Sequence, residues 1–583
     1  MKSAPLLLAL GTIATFAAPS PVAFDWFEYT GRDPAFATPL APGQFRNPIL
    51  AGFYPDPSIC RVPGKGASGA DAYYLVNSTF AYFPGIPIFH SRDLVNWTQL
   101  GHVIDRSTQL DYDQVTVTHG LFAPTINWHD GTFYVLCTMV DGGGNFLVTA
   151  TNPAGPWSDP IWLNFDGIDP SLCFADGRAW LVNNGNPPDD KPLYSGHRAI
   201  WIQEFDIAAK KLTGPRSIIV NGGADLAKNP SGSRARTSSN ATAGIISAAP
   251  RAARAVRTRR SSCAAARPRG RSSRGKKNPI LTQRDLDGTA PLVVTCTGHA
   301  ELVVGPDGHW WSVFLGCRPF AGQYWTTGRE TFLLPVTWTG DGWPMILSPG
   351  ERVPYAVSAP KVGRVIPNAP PQDSLTAKDG GLGIIRPTTN FANTPLTGNF
   401  TWRDDFSAAP LSPLWLMLRA PKETWWSLDG CALRLTPRAE PLTGKGNPSF
   451  LARRLQHSRF AATTSLAAPI DNNVSAGLVA FQNETHYYYL GVRRTAESLS
   501  VFLERANGKT PELVASAKLS DVANLQLRLT NEEKIISFSY ATTPGVWSTL
   551  VSGADVTPIT VQAAGGGLHF TGTVLGLHAR IEP

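Results

Sequence analysis

Two aspartates in this 583-residue chain sit in the same tripeptide, Asp56-Pro57-Ser58 within GFYPDPSIC and Asp169-Pro170-Ser171 within GIDPSLC, each between short apolar runs. Paired carboxylates suit acid/base work on a stable bond, because two such groups in different surroundings can hold different protonation states at one pH. Proline fixes its own φ and biases the residue before it toward an extended conformation, and the serine hydroxyl can bond nearby backbone. The direction of each carboxylate is then set locally. An Asp-Pro pair is also an ordinary turn initiator at a strand end. Two copies in matching aromatic surroundings favour chemistry over a turn.

The elements that must hold these aspartates read as strands. The chain has 17 Trp, 27 Phe and 14 Tyr, is 43% hydrophobic, and carries 54 Gly and 49 Pro, a composition for many short strands joined by turns. The fold class is all-β, and the length predicts two or three domains. Between Phe45 and Gly363, strand-like runs such as AYYLVNSTF, GTFYVLCTMV, RAWLVNNG and HWWSVFLGC recur between Gly, Asp or Asn turns, as in a propeller or a sandwich. A polar, Pro-rich linker follows over 364–397. A second β-rich unit, 398–583, contains SAGLVAFQN, THYYYLGVRR and LSVFLERA and reads as a sandwich.

The N-terminus has the layout of a secretory signal peptide over approximately residues 1–23, with Lys2, an apolar run from Pro5 to Phe16, and small residues at Ala17 and Ala18. The expectation is a secreted, extracellular protein without a membrane partner, since that run is short for a bilayer span. Asn-x-Ser/Thr sequons at Asn77, Asn96, Asn399, Asn473 and Asn483 suit such a protein. Seven cysteines lie scattered without CxxC spacing, which indicates neither a metal knuckle nor a disulfide-dense scaffold and leaves one or two bridges open.

Residues 229–277 break the pattern. They contain no Phe, Trp, Tyr, Asp or Glu but 11 Arg and 2 Lys; without them 39 basic residues face 44 acidic ones, and the net charge moves from +8 to −5. The basic character therefore belongs to this segment and is not a nucleic-acid signal for the whole chain. Back-translated with suitable synonymous codons and read from the third base of each codon, Pro230 to Ser247 becomes VWIEGPHIFKRDGWYYL. Two bases of each shifted codon are largely dictated by the residues present, so an aromatic, strand-like run is an improbable accident. The segment reads as a frameshift or mis-called splice junction, with the frame returning near Lys276-Lys277-Asn278. As written it is expected to form a disordered loop or loose coil, because Arg, Ser, Ala and Pro cannot supply the alternating apolar faces of a blade.

The motifs FRNPILAGFYPDPSICR, STFAYFPGIPIFHSRDLVNW, GLFAPTI, GIDPSL, NPILTQRDL, TGHAEL and TGRETFLLPVTW together resemble glycoside hydrolase family 43, specifically its β-xylosidase branch with a concanavalin-like C-terminal domain. The resemblance implies a five-bladed β-propeller over 45–363 with the active site at its axis, closed in part by the sandwich. It implies Asp56 as general base and Asp169 as the carboxylate that orients the general acid and modulates its pKa. The acid itself is the Glu of a W-I-E-G-P-H motif that the written chain lacks; in the shifted frame its codon spans Ser233 and Arg234. Arg329 resembles an arginine that reaches substrate hydroxyls, His299 an axial histidine, Phe80 and Phe122 pocket-wall aromatics, and Phe570 a residue of the C-terminal domain that approaches the pocket. Phe122 stands where related sequences carry Trp in GLWAP.

The implied reaction is inverting hydrolysis of xylan-derived oligosaccharides or arabinoxylan fragments, with xylose or arabinose released. One carboxylate activates water while a protonated acid serves the leaving oxygen, and a third charge beside the acid keeps it protonated. No cofactor or catalytic metal is required, and a structural calcium ion is compatible. Two other classes compete: a non-catalytic carbohydrate-binding propeller that has lost its acid, which predicts binding without turnover, and an Arg-rich polyanion binder, whose affinity would collapse with salt.

Overall fold

The computed structural model describes residues 19–64, 71–175, 177–222, 280–322, 324–340, 343–361, 394–565 and 569–582. The aberrant segment 229–277 and most of the 364–397 linker lie outside the described residues, as does the whole apolar run from Pro5 to Phe16.

The strand-like runs of the first half pair with their sequence neighbours as antiparallel meanders, giving four sheets in a propeller-like arrangement. The first blade holds Ser58–Val62, Ala72–Val76, Gly85–Ser91 and Thr98–Ile104; the second is built on Thr125–His129, Thr132–Val140 and Gly144–Ala150. The third runs Ile168–Ala175, Arg178–Gly185, Ala199–Asp206 and Lys211–Asn221, and the fourth Thr295–Val304, Trp310–Cys317, Glu330–Trp338 and Pro344–Met345. The innermost strands pack side by side in the order fourth, first, second, third. A short ladder between Gln44–Arg46 and Ala356–Ser358 ties the two ends of this region together. The predicted fifth blade would fall in residues outside those described.

The second domain is a sandwich of two eight-stranded sheets. In the outer sheet, strand Asn524–Glu532 alternates, burying Leu525, Leu527, Leu529 and Asn531 while its other residues face outward. One covered face produces that period of two. In the inner sheet, Val474–Asn483 is buried at every position, because its second face packs against the propeller. There Phe53, Tyr82 and Val117 join Leu416, Leu418, Phe450, Phe481 and Tyr487 in one apolar cluster. Each such side chain contributes about 1.5–3 kcal/mol when fully buried, so the two domains share a core. The contact is also a ladder: Tyr82–Phe83 of the propeller pairs with Leu416–Leu418 at the edge of the inner sheet.

Three expectations need correction. Strand Val22–Arg32 lies inside the outer sheet, paired with Phe400–Asp404, Leu433–Leu435 and Arg459–Ala467. The sequence reading left residues 24–44 unassigned, and the strand overlaps the last two positions of the approximate 1–23 leader. Two of the five sequons are also closed to a glycan. Asn77 has no exposed surface and its amide donates to the carbonyls of Tyr54 and Pro55 and to Thr331 Oγ1, each at 3.0 Å, while Asn483 is 5% exposed. The third correction concerns the aspartates themselves.

Candidate active site

Asp56 and Asp169 stand at equivalent corners, one just before and one at the start of the innermost strand of the first and third blades. Neither is extended, as the following proline led us to expect. Their φ angles are +51° and +56°, in the left-handed region where a residue with a Cβ is strained. Phe80 (φ +54°) and His299 (φ +49°) share that conformation. Proline disfavours only the right-handed helical region for its predecessor, and a left-handed residue turns the chain sharply enough to aim its side chain off the strand end. Strain of this kind persists only where surrounding contacts over-determine it.

Those contacts are present around Asp56. Asn77 clamps the Tyr54 and Pro55 carbonyls, Thr331 Oγ1 donates to the Tyr54 carbonyl at 2.6 Å, and the Gly52 N–H donates to Glu330 Oε1 at 2.7 Å. The two Asp-Pro-Ser corners are stitched through the second blade: Ser58 Oγ accepts from the Ile126 N–H at 3.0 Å, and Thr125 Oγ1 donates to the Pro170 carbonyl at 2.7 Å. The serine hydroxyl therefore serves a neighbouring blade and not its own turn.

The buried Asp56 carboxylate accepts from Ser78 Oγ at 2.7 Å through one oxygen and from Arg329 Nη1 at 3.1 Å through the other, with His299 Nδ1 at 3.8 Å from that second oxygen. Arg329 is thus ion-paired to the candidate base itself, while its Nε is buried without a hydrogen-bond partner. Both aspartates act electrostatically on Cys137, whose thiol is held far above its ordinary pKa by burial first and by these two charges besides. It serves as a proton donor, to the Phe122 carbonyl at 2.9 Å, and so helps fix that aromatic.

Phe80, Phe122 and Phe570 form the wall. Phe80 and Phe122 meet edge to face at 5.6 Å between centroids, Phe122 and Phe570 likewise at 5.7 Å, and Phe80 and Phe570 stack at 6.0 Å. The Arg329 guanidinium lies 4.8 Å from the Phe570 ring centroid and 5.8 Å from that of Phe80. Phe80 forms an isolated bridge to Leu121, an approach that requires Gly120, since a Cβ there would lie 2.5 Å from the Phe80 carbonyl oxygen. Phe570 arrives from the sandwich, its N–H donating to Thr118 Oγ1 at 3.2 Å. Beside it Gly328 and Gly572 bring the two backbones together, with no room for a Cβ on either.

Of the seven residues singled out in the sequence, Asp56, Arg329, His299, Phe80, Phe122 and Phe570 are joined by the contacts just given, and Asp169 stands at the matching corner of the third blade. Those missed are Asn77, Ser78, Thr118 and Cys137. Asn77 and Ser78 follow directly on the strand Ala72–Val76, but the first was read as a sequon and the second only as the opening residue of the motif STFAYF, with no role. Among the described residues no group of three or more His, Cys, Asp or Glu converges as metal donors.

Behind the site lies a second charge cluster. Arg318 is buried and donates to Glu330 from Nε (2.6 Å) and Nη2 (2.8 Å), to Asp33 from Nη1 (2.7 Å), and to the Gln456 carbonyl (2.9 Å). Burial opposes ionisation of Asp33, but Arg318 and backbone donors overcome it and hold the carboxyl below its ordinary range. His457, beside it, is pushed down to about 4 by burial. The cluster pins the strand Val22–Arg32, the fourth blade and the sandwich together, one residue from Arg329.

Known proteins resemble this chain in sequence and in fold. Residues 45–344 match the family model "Glycosyl hydrolases family 43", and residues 403–581 match "Beta xylosidase C-terminal Concanavalin A-like domain". A xylosidase/arabinosidase of Butyrivibrio fibrisolvens is 34% identical over 91% of this chain and 95% of its own length; a non-reducing end α-L-arabinofuranosidase of Bacteroides ovatus is 32% identical over 93% and 92%. The crystal structure of a GH43_12 protein from a capybara gut metagenome superposes with a TM-score of 0.77 at 32% identity, covering 97% of this chain and all of that one. A glycosidase corner built from two strained aspartates, and a partner sandwich that reaches over it, accordingly belong to a protein that is a member of glycosyl hydrolases family 43.

Proposed function

We propose that this chain derives from an exported, exo-acting glycosidase that releases xylose or arabinose from xylan-derived oligosaccharides by single displacement with inversion, and that the chain as written lacks its general acid. The observation that carries the reading is the Asp56 carboxylate, held between Ser78 and Arg329 beneath three phenylalanines. A carboxylate so held is directed, and the aromatic wall suits the apolar face of a sugar. Asp169 serves to orient the acid and keep it protonated, and Arg329 and His299 meet sugar hydroxyls. The printed activities of the relatives, xylosidase and arabinofuranosidase, support the substrate class. Export with cleavage ahead of Val22 would leave the strand Val22–Arg32 to the sandwich.

A fifth blade between the third and fourth completes this reading. The innermost strands of successive blades pack closely from fourth to first to second to third, but Ile168–Ala175 and Thr295–Val304 do not pack so against each other, and the chain between those blades spans residues 222–294. The shifted-frame run VWIEGPHIFKRDGWYYL supplies both a strand pattern and the missing Glu.

Positioned acid catalysis contributes about 10²–10⁴-fold and matters most for a poor leaving group. The written chain should therefore show negligible xylobiose hydrolysis and residual hydrolysis of an aryl xyloside, and restoring the shifted-frame segment should recover xylobiose cleavage. Robust xylobiose cleavage by the unrepaired chain would mean that another residue is the acid. A written chain that binds xylo-oligosaccharides and hydrolyses not even an aryl xyloside would favour the second reading, a binding propeller that has lost its acid, to which the missing W-I-E-G-P-H motif also points.

A further inference from the structure

Cys317 is the last residue of strand Trp310–Cys317 and pairs in register with Thr295, the first residue of Thr295–Val304. In a regular strand Thr295 and Cys296 would point to opposite faces. Here the register slips between Thr295 and Gly298, and Cys296 adopts φ +54°. The irregularity sets Cys296 next to Cys317 across the ladder, one position on from the Thr295–Cys317 pair. The two sulfurs have different access: Cys296 is exposed and Cys317 is 1% exposed.

The surroundings activate only the outer thiol. Hydrogen bonding from Cys317, opposed by burial and aided by Thr295 and by the guanidiniums of Arg329 and Arg284, lowers Cys296 to about 6. The inner thiol, which donates to it and is buried beside Glu330, is held well above its ordinary value. Cys431, the other exposed cysteine among the described residues, has its pKa raised by a hydrogen bond to Asp429. A low-pKa, accessible sulfur next to a second one is the arrangement of an attacking and a resolving cysteine.

We propose that Cys296 and Cys317 are a redox-active dithiol that a low-molecular-weight disulfide oxidises to an intramolecular cross-link beside Arg329. The Cys296 thiolate attacks one sulfur of the small disulfide and expels one thiolate, leaving a mixed disulfide. Cys317 gives its proton to solvent and its thiolate attacks the Cys296 sulfur, forming the Cys296–Cys317 bond and expelling the second thiolate. The two electrons lost by the protein pair reduce the reagent to two thiols. The product ties the start of the strand bearing His299 to the end of the strand that leads into Arg318.

The test uses the full chain, oxidised glutathione as the probe, and peptide mapping with thiol counting. The expected result is loss of two of the titratable thiols, a Cys296–Cys317 linked peptide, and full reversal by dithiothreitol. In Cys317→Ser the mixed disulfide on Cys296 should persist, and in Cys296→Ser the buried Cys317 should stay reduced. Iodoacetamide should alkylate Cys296 with a midpoint near pH 6. Three results would overturn the proposal: all thiols retained in the wild type, a mixed disulfide that never resolves there, or oxidation of Cys317 in the Cys296→Ser protein.

Discussion

Two arginine–carboxylate groups lie one residue apart in this chain and differ in how fully they are closed. Around Arg318, four donor contacts are spent on Glu330, Asp33 and the Gln456 carbonyl, all in the interior. Around Arg329, one contact reaches Asp56, the Nε has no protein partner, and aromatic rings flank the guanidinium. A saturated ion cluster has nothing left to offer a ligand and acts as a pin. An incompletely paired one keeps hydrogen-bonding capacity and a carboxylate, which the proposed function assigns to sugar hydroxyls and to water. The alternation of a strand puts the two on opposite sides, since Arg329 precedes and Glu330 begins the strand Glu330–Trp338.

The sharpest way to break the comparison is to disarm the open pair. In the repaired chain Asp56→Asn should reduce turnover of xylobiose and of an aryl xyloside by about 10²–10⁴-fold, the range of a positioned base, while xylose affinity measured by calorimetry stays largely intact. An equal loss of affinity and turnover would mean that Asp56 holds substrate and does not activate water.

Disarming the closed cluster should do the reverse. Glu330→Gln leaves Arg318 without one of its two charge partners, and breaking a buried ion pair typically costs about 3–5 kcal/mol. Urea unfolding should show that loss, while the amide oxygen that Glu330→Gln leaves in place can still accept from the Gly52 N–H, so that the Asp56 turn stays held in the folded fraction. A change within experimental error would show that Asp33 alone suffices to hold Arg318.

Acid should attack the closed side first. His457 donates from Nε2 to the Gly398 carbonyl at 2.7 Å and accepts at Nδ1 from Tyr29 Oη at 2.8 Å, so its contacts suit the neutral ring. Its folded pKa of about 4 lies below the ordinary 6.5. The unfolded chain therefore binds the extra proton between those values, and stability that is full above pH 6.5 falls as pH drops toward 4. The loss should be about 1.4 kcal/mol per pH unit from this group. His102 and His578, each lowered to about 3 by burial, act in the same direction. Denaturation at pH 7.5 and 5.5 measures the slope, and His457→Asn should remove one histidine's share. An unchanged slope in that variant would place the acid sensitivity elsewhere.

The smallest expected effect is on ligand contact alone. Arg329→Lys keeps the charge beside Asp56 but loses the planar fork, and should weaken xylose binding roughly tenfold, about 1.4 kcal/mol, with little change in melting temperature. A large drop in melting temperature would move Arg329 to the structural side of the comparison.

Local chemistry was enough to read much of this molecule. Aromatic-rich apolar runs such as GTFYVLCTMV, bounded by turn residues, marked the second strand of each described blade, and the repeated Asp-Pro-Ser marked the two inner corners, because both are patterns over a few adjacent residues. Strand Val22–Arg32 was not legible, since its partners lie beyond residue 399 and nothing near it signals that pairing. Nothing in the sequence singled out Arg318, because Asp33, Glu330 and Gln456 meet it only after the domains dock. Asn77 matched a surface tripeptide, yet packing made it the buried clamp of the Asp56 turn.

The sequence by itself determined the all-β class, the runs that form the blade strands and the repeated Asp-Pro-Ser turn, for those depend on a few adjacent residues and their types. Tertiary structure decided which way the aspartates point, which arginine is spent and which retains free donors, and which serine faces a carboxylate. Each of these is settled by contacts between residues far apart in the chain. A left-handed Asp56 is held by Asn77, Thr331 and Glu330 together, and no single stretch of sequence contains all the atoms that make that strained conformation the favoured one.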